Sequence, residues 1–326
     1  MRRWLFLGVA MAAALLTGCQ SNRVTWAIAV HGGAGTIDPN TPAEQAASYR
    51  ASLARALEEG RARLARGDGA LDTCEAVVRI LEDDPNFNAG KGATLTEAGR
   101  AELDASIMDG STLRCGAVGG VTTVKNPISL ARLVMERTEH VLLVAEGAER
   151  FADATGVERV ENAYFVTPRR KEALEKALRE RKVGMGAGAA SAYGTVGCVA
   201  LDSNGRLAAA TSTGGRTGKM PGRIGDTPLP GAGNYADGVA AVSGTGTGEE
   251  FIRHAVARTI PARMELAGET LAQAADHVVF RTLREGDGGV IAVDGKGRIA
   301  MAYNSLGMYR GAADSAGRFE VRIWKD

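Results

Sequence analysis

The 326-residue chain is long enough for one large domain or two of ordinary size. Its 39 basic and 38 acidic residues nearly cancel, and no basic stripe interleaved with aromatic residues occurs, so nucleic acid is excluded as the expected partner. Glycine is over-represented, with 43 residues in short runs and no collagen-like period, which predicts tight turns and backbone that approaches a ligand closely.

The chain begins with a targeting segment. Two arginines precede an apolar run at residues 4–16, which is too short for a comfortable membrane span. The run ends in Leu-Thr-Gly-Cys at residues 16–19, which resembles the lipobox of bacterial lipoproteins. We predict a lipoprotein-like signal peptide over residues 1–18, lipidation of Cys19, and an exported, periplasmic protein that contacts a bacterial membrane only through this anchor. A plain secretory signal with an incidental cysteine is the alternative.

The next elements are predicted from hydrophobic spacing. Residues 24–30 form an apolar run typical of a buried strand that ends at His31. Residues 85–92 are predicted to be a loop, and an Asp-Gly turn at 109–110 indicates a hairpin. The predicted helices span residues 42–66, 72–82 with Asp72 as N-cap, 127–137, 142–155 and 169–182, and the hairpin strands span 103–109 and 115–123.

A run of small residues, 183–194, separates the two halves of the sequence. Such a composition buries little apolar surface, and we expect a mobile linker. Antiparallel hairpins combined with long helices favour an α+β layered sandwich over an alternating doubly wound sheet. In the second half, the predicted strands span residues 195–201, 206–213, 239–242, 289–293 and 299–303, and the predicted helices span 249–258 and 270–284.

Cysteine and histidine point to structural roles. Cys74, Cys115 and Cys198 match no zinc-binding spacing and lie among apolar residues, so we expect small buried side chains and no structural metal, while a disulfide between two of them stays open. His31 is the one histidine of four beside a glycine-rich turn. We interpret it as a hydrogen-bonding structural residue rather than a catalytic base.

Thr195 is the candidate nucleophile. A hydroxyl is weakly nucleophilic unless a neighbouring base accepts its proton. Cleavage of the bond between Gly194 and Thr195 would free an α-amine with an unperturbed pKa of about 7.7–8.0, which suits a base at neutral pH. The small residue before the bond and the preceding linker favour such cleavage. Taken alone, the same feature is typical of a structural threonine that opens a buried strand.

Two glycine-rich segments offer binding groups. In segment 243–248, Thr245 and backbone N–H groups can form an oxyanion hole. A phosphate cradle is disfavoured because Glu249 occupies the third glycine position of the G-x-G-x-x-G pattern.

Arg223 and Asp226 lie three residues apart in a loop rich in glycine and proline. A guanidinium and a carboxylate suit the two charged groups of an amino acid. An exposed ion pair is the alternative.

Together these motifs resemble the isoaspartyl peptidases and plant-type L-asparaginases, a family of N-terminal-nucleophile hydrolases. The resemblance covers nearly all of residues 24–326. It is carried by HGGAG from residue 31, FNAGKG from 87, ELDASIMDG from 102, NPI from 126, GTVG from 194, ATSTGG from 210, PGRIGDTP from 221, GAGNYA from 231 and TGTGE from 245.

The resemblance implies a fold and an activity. The fold would be a four-layer αββα sandwich, cleaved into an α subunit of residues 19–194 and a β subunit of residues 195–326 and assembled as (αβ)2. The substrates would be small molecules, L-asparagine and β-aspartyl dipeptides, hydrolysed with release of aspartate and without a required cofactor. Glycosylasparaginase is the alternative enzyme, although those proteins usually carry Asn or Asp variants in the matching threonine-glycine segments. An amino-acid-binding protein without turnover is the non-enzymatic alternative.

The resemblance also implies residue roles. Gly194 and Thr195 would flank the cleavage site, and Thr195 would be the nucleophile. Family members often hold a sodium ion through backbone carbonyls, here those of Leu81, Glu82, Asp84, Phe87, Ala89 and Lys91. The remaining roles would be tuning of the nucleophile by Thr213, support by Asn88, an oxyanion hole from Thr245 and the Gly246 amide, substrate carboxylate binding by Arg223, and substrate amine binding by Asp226 and the Gly248 carbonyl.

Overall fold

A computed structural model describes residues 24–182 and 194–325 as a mixed α+β fold. The predicted signal peptide, Cys19 and residues 183–193 of the predicted linker lie outside these ranges. The strands are β1 (Ala27–Gly35), β2 (Leu103–Asp109), β3 (Cys115–Val121), β4 (Leu142–Val144), β5 (Val196–Leu201), β6 (Leu207–Thr213), β7 (Asn234–Ala236), β8 (Ala240–Gly246), β9 (Gly288–Asp294), β10 (Ile299–Tyr303), β11 (Gly307–Asp314) and β12 (Phe319–Arg322).

The helices lie between these strands in sequence. They are α1 (Ala43–Ala65), α2 (Ala70–Glu82), α3 (Pro127–Arg137), α4 (Ala145–Thr155), α5 (Pro168–Lys182), α6 (Gly248–Arg253), α7 (Val256–Ala267) and α8 (Leu271–His277). A short 3₁₀ helix covers Asn162–Phe165, and a π-helical turn, Val278–Thr282, continues α8. No helix within the described ranges has both the length and the apolar character needed to cross a bilayer.

The strands form two sheets. The central eight-stranded sheet has the order β12-β11-β1-β5-β6-β2-β3-β4, and the second has the order β10-β9-β8-β7. All neighbours are antiparallel except β3 and β4. Strand β5 lies between β1 and β6, in the middle of the large sheet. Thr195, which directly precedes β5, therefore lies where three strands meet.

The central strands β1, β5 and β6 of the large sheet are buried along their whole length because both faces of the sheet are covered there. Along β1, Ile28 and Val30 belong to a core cluster shared with helices α1 to α5, whereas Ala27 and Ala29 belong to a second cluster shared with the smaller sheet. Successive side chains of a strand point to opposite faces, so this alternation identifies two different neighbours. A third cluster joins the small sheet to α7 and α8.

The structure confirms several sequence predictions closely. The helix at 127–137 and the strand at 103–109 have the predicted bounds, and α1 and α5 differ from prediction by one residue at each end or fewer. The predicted helix 72–82 begins earlier, at Ala70, and Gly69 is its N-cap. Asp72 as N-cap was therefore wrong, and its carboxylate instead pairs with Arg132 at 2.6 Å.

Other boundaries differ from prediction. The predicted strand 115–123 ends at Val121, and the predicted helix 270–284 is α8, which ends at His277, followed by the π-helical turn. The predicted helix 142–155 starts as the short strand β4, which pairs with β3, and Ala145 turns the chain through a positive φ of 46° before α4. The predicted helix 249–258 is broken at Ala255, which has a φ of 45°, and continues as α7. Strand β8 extends through Gly246, so four of the six residues of the predicted glycine-rich segment 243–248 are strand. Strands β7, β11 and β12 were not predicted.

The thiols of Cys74, Cys115 and Cys198 are all free. Cys74 and Cys198 are buried, as expected, while Cys115 is partly exposed. Within residues 24–182 and 194–325, no group of three or more His, Cys, Asp or Glu side chains is placed to hold a metal ion.

Candidate active site

Thr195 is buried and faces the end of β6. The antiparallel register pairs Val196 with Ser212, which places Thr195 opposite Thr213. The Thr195 Oγ1 hydroxyl donates to Thr213 Oγ1 at 3.2 Å, and the Gly215 N–H donates to the same acceptor at 3.0 Å. The predicted nucleophile and the residue predicted to tune it are thus in direct contact.

The carbonyl of Gly194 accepts two hydrogen bonds. Asn88 Nδ2 donates to it at 2.6 Å, and Thr213 Oγ1 donates to it at 3.0 Å. Thr213 therefore links the hydroxyl of Thr195 to the carbonyl on the other side of the same peptide bond. Hydrogen bonds to a carbonyl oxygen stabilise the negative charge that develops there when a nucleophile adds.

The Asn88 side chain is held at both ends. Its Oδ1 accepts from Thr94 N at 2.7 Å, and the second hydrogen of Nδ2 is donated to the Gly215 carbonyl at 2.7 Å. These bonds use the full donor capacity of the amide and fix which atom faces Gly194. Asn88 supports the nucleophile region, as predicted, and its partner Gly215 connects this region to the Arg223 loop.

His31 contacts the nucleophile residue through its backbone. One ring nitrogen, Nδ1, lies 2.9 Å from the Thr195 carbonyl, and the other, Nε2, lies 2.8 Å from Ser243 Oγ. Burial lowers the pKa of His31 to about 3, although the bond to Thr195 opposes the shift. A carbonyl can only accept, so Nδ1 carries the proton and Nε2 accepts from Ser243. The neutral ring therefore holds Thr195 in place, which confirms the structural interpretation of His31.

Thr245 and Gly246 lie at the end of β8. Thr245 is fully buried, and its Oγ1 accepts from the Ala34 N–H at 3.1 Å. Gly33, which precedes Ala34 in β1, approaches the nucleophile so closely that a Cβ on Gly33 would lie 3.4 Å from Thr195 N. A Cβ at Gly246 would lie 1.9 Å from the Asp287 carbonyl, so this backbone requires glycine. Strand β1 thus connects the predicted oxyanion residues with Thr195.

Arg223, Asp226 and Gly248 form a second group. A Cβ at Gly248 would lie 2.8 Å from both Arg223 Nη2 and Asp226 Oδ1, which places all three residues together. Arg223 Nη1 also lies 3.3 Å from the Cβ position of Gly215, next to the Asn88 amide. The exposed ion pair weighed for Arg223 and Asp226 was wrong, because Asp226 is buried and Arg223 pairs with Glu249.

The Asp226 carboxylate is incompletely satisfied. Its Oδ2 is buried without a hydrogen-bond partner among the described residues. Burial raises the pKa of Asp226 to about 7, and the positive charge of Arg223 opposes this shift. A buried acceptor with no donor is costly, so a ligand that supplies an N–H group here would gain free energy.

Three charged residues of this group were not predicted from the sequence. Glu249 Oε1 accepts from Arg223 Nε and Nη2 at 3.1 and 3.0 Å, and so orients the guanidinium. Lys219 is buried and donates to the Glu102 carbonyl at 2.9 Å, and its charge acts on the buried carboxylate of Asp104. Glu249 directly follows the glycine-rich segment 243–248, and Lys219 lies four residues before Arg223, so closeness in sequence to predicted site residues was the available signal.

The loop after α2 was predicted to bind sodium. A Cβ at Gly90 would lie 2.4 Å from the Glu82 carbonyl, and one at Gly92 would lie 2.6 and 2.9 Å from the Pro85 and Phe87 carbonyls. Two nearby carboxyl groups are engaged elsewhere: Asp84 pairs with Arg55 at 2.6 Å, and Glu82 Oε1 accepts from Ser212. Burial raises the pKa of Glu82 to about 8. The loop backbone is thus tightly packed around the carbonyl oxygens of Glu82, Pro85 and Phe87, and the Glu82 oxygen accepts from Lys91 N at 2.7 Å. Neutral carbonyl oxygens are the hard ligands that the predicted ion would need.

Known proteins resemble this chain over most of its length. The asparaginase family profile matches residues 24–323. A protein of Arabidopsis thaliana named probable isoaspartyl peptidase/L-asparaginase 2 is 50% identical over 323 residues, which cover 92% of this chain and 99% of that protein. The isoaspartyl peptidase of Salmonella typhimurium is 50% identical over 292 residues, covering 87% and 93% of the two chains. The isoaspartyl peptidase/L-asparaginase of Bos taurus is 43% identical over 289 residues, covering 88% and 92%. The chain therefore belongs to the asparaginase family that includes the isoaspartyl peptidases.

Proposed function

We propose that this protein is a self-processing isoaspartyl peptidase and L-asparaginase that uses Thr195 as an N-terminal nucleophile. One observation carries the proposal: the Thr213 hydroxyl bonds both Thr195 Oγ1 and the Gly194 carbonyl, on either side of one peptide bond. The family relationship supports the reaction class, since the similar proteins named above are isoaspartyl peptidases or L-asparaginases.

Processing would begin with attack of Thr195 Oγ1 on the Gly194 carbonyl carbon. Asn88 Nδ2 and Thr213 Oγ1 already donate to the oxygen that would become negative. The carbon–nitrogen bond breaks, an ester forms on Oγ1, and the hydroxyl proton passes to the departing nitrogen of Thr195. Water then hydrolyses the ester, leaving a carboxylate at Gly194 and a free amine at Thr195.

Substrate hydrolysis would reuse the same hydroxyl, now with the α-amine of Thr195 as its base. Arg223, oriented by Glu249, would bind the substrate α-carboxylate in bidentate fashion. The unpaired Asp226 Oδ2 and the Gly248 carbonyl would accept from the substrate ammonium. Thr245 and the Gly246 N–H would stabilise the tetrahedral oxyanion, and the amine of Thr195 would return its proton to the leaving nitrogen. The β-aspartyl ester that remains is hydrolysed to aspartate.

The finer architecture is part of this proposal. The three core clusters support the layer order helices, large sheet, small sheet, helices, which is the αββα sandwich of N-terminal-nucleophile hydrolases. Residues 19–194 would be the α subunit and residues 195–326 the β subunit of one structural domain. Two such heterodimers would associate as (αβ)2. Light scattering measures the molar mass of this assembly directly.

Substitution of Thr195 tests the proposal. We expect Thr195→Ala to remain uncleaved and to release no ammonia from L-asparagine and no aspartate from β-aspartyl dipeptides, because the hydroxyl is gone. Thr195→Ser, the matched control, retains a hydroxyl and an α-amine and should keep measurable cleavage and turnover. Unchanged turnover by Thr195→Ala would contradict the proposal. Asparagine binding without turnover by the unaltered protein would favour an amino-acid-binding protein.

The pH dependence of kcat/KM tests the role of Asp226. With a pKa raised to about 7, Asp226 loses its charge as pH falls below 7 and can no longer bind the substrate ammonium well. The Thr195 amine, with an unperturbed pKa of about 7.7–8.0, must also be neutral. Log kcat/KM for asparagine should therefore fall toward low pH with a limiting slope of about two. In Asp226→Asn the rate should be lower and the slope about one. An unchanged slope would contradict this assignment.

Sodium binding by the loop after α2 is also proposed. The carbonyl oxygens of Leu81, Glu82, Asp84, Phe87, Ala89 and Lys91 would hold the ion, with the crowding around Gly90 and Gly92 as support. Replacing sodium chloride by tetramethylammonium chloride at equal ionic strength should lower Tm, since a ligand that binds only the folded state stabilises it. An equal Tm in both salts would count against the ion.

Localisation is proposed from the sequence of residues 1–19. We propose a periplasmic lipoprotein that is anchored through Cys19. The protein should fractionate with membranes, whereas Cys19→Ala should be recovered in a membrane-free fraction. Recovery of the unaltered protein free of membranes would indicate a plain secretory signal instead.

A further inference from the structure

A cavity borders the peptide bond between Gly194 and Thr195. Its volume is about 340 Å³, at the lower end of the range of about 300–1,000 Å³ common for small-molecule sites. Asn88 and Gly194 form one side of its lining, and Tyr49, Tyr309, Arg169 and Arg170 form another. The cavity shares no lining residue with the group formed by Arg223, Asp226 and Gly248.

The two arginines occupy an unfavourable position for positive charge. They lie in the first turn of α5, where the helix dipole disfavours cations. Arg170 is buried, with 8% of its surface exposed, and its Nε donates to the Gly92 carbonyl. Burial, followed by the neighbouring Arg169, lowers the pKa of Arg170 to about 10. Burying such a guanidinium costs free energy unless an anion neutralises its charge.

The partners available to these arginines are neutral. Arg169 donates to the carbonyls of Asn86 and Pro85 at 2.8 and 3.1 Å and to the Tyr49 hydroxyl. Within residues 24–182 and 194–325, neither Arg169 nor Arg170 forms an ion pair. Asp38 also lines the cavity, but its carboxylate is exposed and accepts from the backbone and side chain of Asn40. The cavity therefore combines a partly open pocket with uncompensated positive charge.

The cavity lies next to the nitrogen that cleavage would free, because its lining residue Gly194 is the one bonded to Thr195. Gly194 is bonded to Thr195 N, and a Cβ at Gly33 would lie 2.9 Å from Gly194 Cα and 3.4 Å from Thr195 N. In the proposed reaction the freed amine of Thr195 protonates the leaving nitrogen, so that nitrogen must lie within hydrogen-bond reach of it. Arg223 and Asp226 bind the acyl half of the substrate and leave the Gly194 side for the other half.

We propose that this cavity is the subsite for the leaving residue of β-aspartyl dipeptides, and that Arg170, supported by Arg169, binds the α-carboxylate of that residue. The inference rests on the proposed function and adds a determinant of substrate class to it. A guanidinium matches a carboxylate in bidentate geometry. The stacked rings of Tyr49 and Tyr309, with centroids 4.4 Å apart, provide an apolar wall for the side chain of the leaving residue. Ammonia, the leaving group from asparagine, has no group that uses this site.

A pair of substrates isolates the carboxylate. We expect the unaltered enzyme to hydrolyse β-aspartyl-alanine with a kcat/KM about tenfold above that of β-aspartyl-alaninamide, a difference of about 1.4 kcal/mol. In Arg170→Met the ratio should fall to about one, because the group that distinguishes acid from amide is removed. Arg179→Met is the matched control on the same helix, since the Arg179 side chain is 71% exposed, and it should preserve the ratio.

Two outcomes would overturn the inference. One is an equal kcat/KM of the unaltered enzyme for β-aspartyl-alanine and β-aspartyl-alaninamide. The same result is expected if the carboxylate that cleavage creates at Gly194 pairs with Arg169 and Arg170 and so blocks the subsite. The other is a ratio that Arg170→Met does not change. The substrate comparison needs no variant, so poor folding of Arg170→Met leaves it decisive. Ammonia release from asparagine, assayed in parallel, reports separately on the proposed function, because its absence indicates failure at Thr195.

Discussion

The antiparallel register between β5 and β6 determines the arrangement of the whole site. Pairing of Val196 with Ser212 sets Thr195 opposite Thr213, and only this register lets one hydroxyl bond both Thr195 Oγ1 and the Gly194 carbonyl. A shift by one residue would turn Thr213 to the other face of the sheet. Because β5 is paired on both sides, with β1 and β6, such a shift would break two ladders of hydrogen bonds.

The layer between the two sheets supports this register with neutral polar groups. Ser243 Oγ contacts His31 Nε2 and Thr211 Oγ1 at 2.8 and 2.7 Å, and Thr211 in turn lies 3.0 Å from Asn234 Oδ1. Buried polar groups are tolerated when each finds a partner, and a connected network is more rigid than isolated pairs. Charged groups of the site instead lie around Asp226 and around Arg170, where the proposed substrate would supply a donor to Asp226 Oδ2 and an anion to Arg170. Thr195 is thus held by uncharged hydrogen-bonding groups, the His31 ring and the Thr213 hydroxyl.

Sequence patterns predicted the local elements better than their long-range contacts. Pro127 and the apolar spacing that follows it define α3. Strand β4 has only three residues, too few to show a periodicity, so the sequence pattern assigned it to the helix that follows. Strand β11 escaped prediction because its alanines and glycines give little alternation. Local motifs were sufficient to predict Thr195, Arg223 and Asp226 as site residues. The burial of Lys219 and Asp104 depends on contacts between distant segments, which no local pattern encodes.

The central claim is that the bond between Gly194 and Thr195 is cut and that the freed amine activates the Thr195 hydroxyl. The intact mass of the purified, active protein tests it most directly. The account predicts two polypeptides, the smaller one beginning at Thr195 and ending at Asp326, with the fraction of cleaved chain rising in step with asparagine turnover. A single uncut chain that hydrolyses asparagine at the full rate would contradict it.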